Sequence, residues 1–500
     1  MTYKNYKKNN YGNSNYKIGD IYFGTADGED EALNFIDRQD EFKNFFYNYD
    51  NIVDKASKPL TYLVLGKKGA GKTILGEYLN YKLNNTVKSF CNIVSFNEFR
   101  IHSLRELSTE DTAPNEYIPI WTYVILIEIS KVLLQNEQLK EDENYKKLKK
   151  FIDKNYIKLI LTQNAETDIA KLKSVKENSD WLADIVSDDN KDQLQSNYIS
   201  FIPVLEKIVL DAVSNNPEFS YNLILDKIDD RFTNTDLYKN SVISLIKAVD
   251  NFNKNVLRKR IKAKVTVLLR SDIFALLNDT DLNKRESSNS VRIDWGDAAK
   301  YNSPLFDLIV QKITASIPEL KDRNRSDIIK MFFPKTIKQS DRNIPTDKFL
   351  LGRTLFRPRD VISYLTLITT KYHDSPQFTP EMFLDVQLRY SEYFLKEIEN
   401  EMNGHLTDKQ IKEVIDLMIK FGKFDFKYEE IKRFATSSKI LTGLKIEEAL
   451  KILFDFSIIG NYVHTGNKIR HTWKHRHDRV EIDFNKRMCL HYGLWRYFNI

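Results

Sequence analysis

A strand-like apolar run ends at a glycine, and a glycine-rich loop that closes with a lysine and a threonine follows. The loop has the spacing G-x-x-x-x-G-K-T and reads Gly66, Lys67, Lys68, Gly69, Ala70, Gly71, Lys72, Thr73. Its glycines permit positive φ angles and close approach of the backbone, so that successive N–H groups can face one anion. This pattern between a strand and a helix is typical of a phosphate-binding P-loop.

Each polar side chain of this loop has an expected role. The Lys72 ammonium would neutralise the β- and γ-phosphates, and the Thr73 hydroxyl would bind Mg²⁺. The loop backbone up to Ile74 would line the nucleotide, because the helix that follows presents its positive end there. The alternative is a glycine-rich turn that matches the motif by chance. The apolar run before the loop and the helical spacing after it favour nucleotide binding.

A second apolar run ends in acidic residues. Tyr221–Leu225 predicts a buried strand, and Asp226, Asp229 and Asp230 follow it. Because the carboxyl ends of parallel strands meet at one edge of a sheet, these carboxylates would lie beside the P-loop. We expect Asp226 to hold Mg²⁺, directly or through water, and Asp229 or Asp230 to polarise the attacking water. A plain strand followed by an acidic turn is the alternative.

Two arginines complete the expected site. Arg270 ends the strand-like run Val265–Leu269, and a strand between the two nucleotide-binding strands would bring it near the γ-phosphate as a sensor. Arg359 follows Pro358, which suits the first turn of a helix. It would face the phosphates if that helix belongs to a lid. A charged strand end and a surface arginine are the respective alternatives.

Composition limits the class of protein. The 500 residues are 42% hydrophobic and carry a net charge of +6, too small to indicate a nucleic-acid binder by itself. The two cysteines, Cys91 and Cys489, lie too far apart for a C-x-x-C metal site and fit a reducing, cytoplasmic location. No apolar run reaches the length of a membrane span, and the polar N-terminus does not resemble a secretory signal.

The C-terminal region has the pattern of a winged helix. Three helices are predicted, and two strand-like runs follow, joined by the turn Thr465–Asn467. Four histidines, His464, His471, His475 and His477, lie on or beside this hairpin among lysines and arginines. The hairpin could pack on a neighbouring domain or subunit, contact the phosphates of DNA or RNA, or hold a metal, although no ligand spacing matches a known metal site.

The order of these motifs is similar to that of AAA+ and STAND-like ATPases. More closely, the chain resembles a family of bacterial P-loop ATPases found in defence-type gene neighbourhoods. The similarity covers roughly residues 20–500. It rests on Phe23-Gly24 followed by acids, Leu65 to Thr73, Leu269-Arg270-Ser271-Asp272-Ile273-Phe274, Asp294-Trp295, Arg357-Pro358-Arg359-Asp360 and His491-x-x-Leu494.

The resemblance implies ATP and Mg²⁺ at Gly66–Thr73 with Asp226, a sensor at Arg270 and a lid contact at Arg359. One position departs from the pattern, because AAA+ proteins usually place Glu directly after the acid at the strand end, where this chain has Lys227. The catalytic base would therefore move to Asp229 or Asp230 or be missing, and hydrolysis would be slow.

The expected fold class is α/β, an additional-strand (ASCE) P-loop NTPase core with a parallel sheet, a helical insertion, a helical lid and a C-terminal winged-helix domain. The expected boundaries are a disordered tail at 1–20, core segments at 21–136 and 201–296, an insertion at 137–200, a lid at 297–400 and the winged helix at 401–500.

Three functions fit these expectations. The first is an ATPase switch that forms a homo-oligomer, does not contact a membrane, and regulates an effector protein encoded nearby, in defence against phage. The second is a DNA-binding AAA+ ATPase similar to origin-recognition proteins. The third is a nucleotide-bound scaffold without turnover.

Overall fold

The computed structural model describes residues 16–96, 117–152, 198–229, 232–296, 300–339, 341–466, 468–477 and 479–499. The chain divides into two compact units. One unit contains residues 48–294, and the other contains the residues up to Tyr47 and from Trp295 onward. The finer boundaries expected from the sequence remain predictions.

The first unit, residues 48–294, is built on a parallel sheet. Its strands are β1 (Leu63–Gly66), β2 (Ser89–Ser95), β3 (Ser220–Asp226), β4 (Ala263–Arg270) and β5 (Ser290–Ile293). The first two helices of the chain, α1 (Gly28–Leu33) and α2 (Gln39–Phe45), lie in the other unit. The helices of the sheet unit are α3 (Ile52–Ser57), α4 (Lys72–Asn84), α5 (Ile118–Leu134), α6 (Glu143–Phe151), α7 (Tyr198–Ser214), α8 (Asp236–Arg258), α9 (Ser271–Phe274) and α10 (Leu282–Asn289).

The strand order of this sheet is β2-β3-β4-β1-β5. All the pairings are parallel, and the residue pair Gly66–Arg270 joins the ends of β1 and β4. The strand β4 thus lies between the P-loop strand β1 and the acidic strand β3, as the sequence predicts. Because parallel strands end at the same edge, the P-loop, Asp226 and Arg270 share the carboxyl edge of the sheet.

Helices cover the sheet because its strands are apolar on both faces. The four residues of β1 are buried. The helix α5 packs in the same hydrophobic core as the strands and is buried along most of its length, as its continuous apolar sequence predicts. The helix α4 approaches the sheet closely at Gly76, where an added Cβ would lie 2.7 Å from Leu268 Cδ1. A larger residue there would push the P-loop helix away from β4.

The second unit is mostly helical. Its elements before residue 403 are α1 (Gly28–Leu33), α2 (Gln39–Phe45), α11 (Pro304–Ser316), α12 (Arg325–Phe332), β6 (Thr336–Gln339), β7 (Arg342–Pro345), α13 (Thr346–Leu351), α14 (Pro358–Lys371), α15 (Pro380–Asp385) and α16 (Gln387–Met402). The helix α14 begins at Pro358, as expected for a residue whose missing N–H is not needed in a first turn.

Three helices and an antiparallel sheet form the end of the chain. They are α17 (Asp408–Phe421), β8 (Asp425–Phe426), α18 (Tyr428–Ser438), α19 (Ile446–Asp455), β9 (Ile459–Thr465), β10 (Lys468–Thr472) and β11 (Arg487–Leu490). The sheet order is β10-β9-β11-β8. The predicted helices and the predicted hairpin β9–β10 are present, while β8 and β11 are additional strands. The assignment of a winged helix stays a prediction.

The acidic segment before residue 47 forms two helices, α1 and α2, and Asp27 caps the first by accepting hydrogen bonds from the backbone N–H groups of Glu29 and Asp30. Of the insertion expected at 137–200, residues 153–197 lie outside the described part. Within the described ranges no helix has the length and apolarity needed to cross a membrane.

Candidate functional site

The glycine-rich loop joins β1 directly to α4. Gly69 and Gly71 have φ angles of 75° and 98°, and Gly71 is the residue immediately before α4. Residues other than glycine rarely adopt these φ angles, so the loop needs glycine at both positions. An added Cβ on Gly66 would lie 3.3 Å from Ala70 Cβ, which shows how tightly the loop closes.

The Lys72 ammonium lies against this loop. Its Nζ donates hydrogen bonds to the backbone oxygens of Gly66, at 3.2 Å, and of Lys67, at 3.3 Å. Lys72 is also the first residue of α4, so its charge adds to the positive end of that helix. The cation and the helix terminus together make the loop a favourable place for an anion.

The acid at the end of β3 contacts the threonine of the loop. Burial raises the pKa of Asp226 to about 6. The Thr73 hydroxyl, the backbone N–H of Lys227 and the charge of Lys72 lie close enough to the carboxylate to lower this pKa, and the nearby Asp229 raises it. Two residues 153 positions apart in sequence therefore meet at the carboxyl edge of the sheet.

The Asp226–Thr73 pair fits a divalent cation. Asp226 is 2% exposed, and in the part of the chain that the structure describes its Oδ2 atom has no hydrogen-bond partner. A buried carboxylate oxygen that lacks a partner is costly unless a cation or water satisfies it. A carboxylate and a hydroxyl beside a phosphate-binding loop are the donors that Mg²⁺ uses when substrate phosphates and water complete its shell.

Arg270 lies between two carboxylates at the same edge. Its Nε and Nη2 donate to the two oxygens of Asp272, at 3.2 and 2.5 Å, and its Nε lies 3.8 Å from Asp229 Oδ2. Arg270 and Asp229 are 8% and 5% exposed. Of the two acids expected to include the base, Asp229 is thus buried next to the sensor arginine, and Asp230 lies outside the described residues.

The remaining site residue, Arg359, belongs to the helical unit. It is at the start of α14, where its Nε donates to the backbone oxygen of Ala26 at 2.8 Å and its Nη1 donates to Glu397 at 2.9 Å. Both contacts lie within the helical unit. A role for Arg359 at the nucleotide stays a prediction.

Comparisons with known proteins were made for the whole chain. The family model for a FunZ-associated C-terminal helical domain matches residues 303–399, the region from α11 to α16. A comparison with curated proteins finds no match. Among solved structures, the chain is similar to the Orc1 protein of Aeropyrum pernix in complex with DNA. That match has 11% identity and a TM-score of 0.33, and it covers 92% of each chain. A likeness at this TM-score supports no conclusion about function.

The C-terminal histidines form part of a packed aromatic cluster. His471 stacks on Trp473 with ring centroids 5.9 Å apart, and His491 meets the edge of Trp473 at 5.1 Å. Burial lowers the pKa of His471 to about 4 and of His491 to about 3. Of the three roles considered for the hairpin histidines, this packing favours the structural one for His471. No group of three or more potential metal ligands occurs among the described residues.

Asp272 belongs to one of the sequence motifs, but the sequence alone assigned it no role. The signal was present, since an acid two residues after a strand-ending arginine can fold back onto its guanidinium. The sequence alone could not show that Asp229 would approach the same arginine, because the two carboxylates belong to different strand ends.

Proposed function

We propose that this chain binds ATP with Mg²⁺ and hydrolyses it, as a P-loop ATPase of the AAA+ or STAND-like kind. The observation that carries the proposal is the position of the buried Asp226 carboxylate beside Thr73 of the glycine-rich loop, with its Oδ2 atom lacking a hydrogen-bond partner among the described residues. A glycine-rich turn that matched the motif by chance would have no reason to meet the acidic end of another strand. The strand order, with β4 between β1 and β3, supports the same function.

The roles of the residues follow from their positions. The loop N–H groups and Lys72 would bind the β- and γ-phosphates, and Asp226 with Thr73 would hold Mg²⁺. When bound, Mg²⁺ supplies positive charge that neutralises the phosphate oxygens. Asp229 would accept a proton from the attacking water, and Arg270 would stabilise the charge that develops on the γ-phosphate.

Replacing Lys72 tests nucleotide binding. In Lys72→Ala we expect ATP affinity to fall by at least tenfold, because one charge-assisted contact contributes roughly 1.5–3 kcal/mol. Isothermal titration calorimetry with ATP and Mg²⁺ measures this change. Lys82→Ala is the matched control, since Lys82 lies on the same helix and its side chain is 46% exposed. Equal affinity of Lys72→Ala and Lys82→Ala for ATP would refute the proposed site.

The biological role is the finer part of the proposal. We infer that the ATP state sets self-assembly and the activity of an effector encoded nearby, in the cytoplasm and in defence against phage. The sequence resemblance to ATPases of defence-type gene neighbourhoods supports this role. Lys227, in place of the usual glutamate, supports slow turnover, as expected for a switch. Co-purification of the neighbouring gene product with and without ATP tests the partnership, and loss of copurification in Lys72→Ala is the expected result.

A further inference from the structure

Arg270 is held in a fork by a residue to which the proposed function gives no role. The two oxygens of Asp272 accept hydrogen bonds from Nε and Nη2 of Arg270, at 3.2 and 2.5 Å. Two parallel N–H···O bonds fix both the position and the plane of a guanidinium, whereas one contact leaves it free to turn. The side chain of Asp272 is 42% exposed, so this carboxylate binds Arg270 from the solvent side of the cluster.

The other acid near Arg270 lies on the protein side. Asp229 is 5% exposed, and its Oδ2 lies 3.8 Å from Arg270 Nε, beyond hydrogen-bonding distance. Without Asp272, the guanidinium would be drawn to the buried carboxylate, because the attraction between opposite charges increases where water is excluded. A direct Arg270–Asp229 pair would then occupy the oxygen that the attacking water needs.

We propose that Asp272 is a positioning residue for ATP hydrolysis, which keeps Arg270 at the carboxyl edge of the sheet and away from direct pairing with Asp229. The register supports this placement, since Arg270 pairs with Gly66, the first residue of the glycine-rich loop. The arginine is therefore held level with the start of the loop. The inference rests on the proposed ATPase function.

The main experiment separates turnover from binding. In Asp272→Asn, kcat for ATP falls about tenfold or more, because a misplaced catalytic group costs that much or more in rate. The Kd for ATP with Mg²⁺ stays within about twofold, since the loop and Lys72 are unchanged. Asp272→Glu, which keeps a carboxylate one methylene longer, recovers part of the lost rate. Thermal unfolding of each variant checks that it is folded. If Asp272→Asn is unfolded, kcat and Kd are compared between Asp272→Glu and the wild type instead.

A double-mutant cycle distinguishes positioning from a general structural effect. If Asp272 acts through Arg270, Asp272→Asn changes kcat less than about twofold in an Arg270→Ala background. A merely structural role would lower kcat by the same factor in both backgrounds. Asp279→Asn is the matched control, because Asp279 forms a 2.6 Å ion pair with Lys247 in the same unit.

The outcomes separate this inference from the function on which it rests. Wild-type turnover together with unchanged kcat in Asp272→Asn, or equal losses in both backgrounds, would overturn the positioning role and leave the ATPase assignment standing. Wild-type protein that binds ATP without turnover would remove both the hydrolytic function and this inference. A tenfold loss that disappears in the Arg270→Ala background supports the proposal.

Discussion

At the residue scale, Lys227 turns the chain between Asp226 and the proposed catalytic base Asp229. Lys227 follows the last residue of β3 and has a φ of 57°, in the left-handed region. A residue other than glycine pays about 1 kcal/mol for this conformation, and it turns the chain sharply. Two residues later, Asp229 is buried and close enough to affect the pKa of Asp226. The turn at Lys227 is thus followed by a second buried carboxylate near Asp226, which is why we propose Asp229 as the base.

The corresponding prediction concerns turnover alone. We expect Asp229→Asn to lower kcat by about 10²- to 10⁴-fold, the usual contribution of a general base, while ATP affinity changes little. Phosphate release under saturating ATP and calorimetric titration of ATP measure the two quantities. Asp230→Asn is the comparison variant. If phosphate release slows only in Asp230→Asn, the base is Asp230 and the buried Asp229 serves to hold Arg270.

At the element scale, the strands of the parallel sheet were predictable and the antiparallel pairings only partly so. The strands β1, β3 and β4 are largely apolar runs that end at Gly66, Asp226 and Arg270, and burial on both faces favours such runs. The hairpin β9–β10 was predicted because a Thr-Gly-Asn turn joins two alternating runs. The strand β11 was missed because it pairs with strands distant in sequence and has no turn signal beside it. The strand β8 has only two residues.

The candidate site was predictable for a similar reason. The positions of the glycine-rich loop and Asp226 could be predicted because a fixed spacing and a strand end determine them, and their closeness follows from the parallel arrangement of β1 and β3. Their roles at a nucleotide stay predictions. The fork between Arg270 and Asp272 depends on a side-chain rotamer. The approach of Asp229 to Arg270 depends on the turn at Lys227. Neither of these leaves a periodic pattern in the sequence.

The charge of α19 bears on the alternative of a DNA-binding ATPase. If the C-terminal region is a winged helix, as predicted, α19 would be the helix placed in the major groove. Its exposed charged residues are three acids and one lysine, Glu447, Glu448, Asp455 and Lys451. Acidic side chains are repelled by phosphates, so this helix is unsuited to duplex DNA. Among the described residues of this C-terminal region, the basic hairpin β9–β10 is better suited to such a contact than α19.

The aromatic cluster predicts a pH dependence of stability. His491 is 2% exposed, and its Nδ1 accepts a hydrogen bond from the Gly493 N–H. Burial and the facing charges of Arg476, Arg353 and Arg357 lower the pKa of His491 to about 3. An unfolded chain binds this proton near pH 6.5, so between about pH 6.5 and 3 the unfolded state holds more protons. Stability should therefore fall as the pH falls below about 6.5.

Thermal unfolding at pH 7.5 and pH 5.5 measures this effect. We expect about 1 kcal/mol of stability to be lost from His491 over that range. His491→Gln should be less stable at pH 7.5 but should lose less on acidification. His464→Gln is the control, because His464 lies on the same sheet but is exposed, and it should follow the wild type. A wild-type midpoint that does not change, or that rises at pH 5.5, contradicts the prediction.

At the scale of the whole molecule, the chain passes twice between its two units. In sequence, the sheet unit is inserted into the helical unit. The chain enters the sheet unit between residues 47 and 48 and leaves it between residues 294 and 295. The sequence predicts a first core segment at 21–136, and that boundary stays a prediction. The structure groups the residues up to Tyr47 with the helical unit, where Lys312 forms a buried ion pair with Glu31. Such a pairing between distant residues cannot be read from local patterns.

Self-assembly is the property of the whole molecule that nucleotide binding should control. A ligand that binds the assembled state more tightly shifts the equilibrium toward it, by an amount set by the difference in affinity. With a non-hydrolysable ATP analogue and Mg²⁺ we expect the molar mass to rise roughly twofold or more at fixed protein concentration, as measured by size-exclusion chromatography with light scattering. Lys72→Ala should keep its nucleotide-free mass, and Lys82→Ala should follow the wild type. A mass that is the same in all three proteins, with ATP binding intact in the wild type, would mean that nucleotide acts within a single chain, and the switch would then have to reach its effector without assembly.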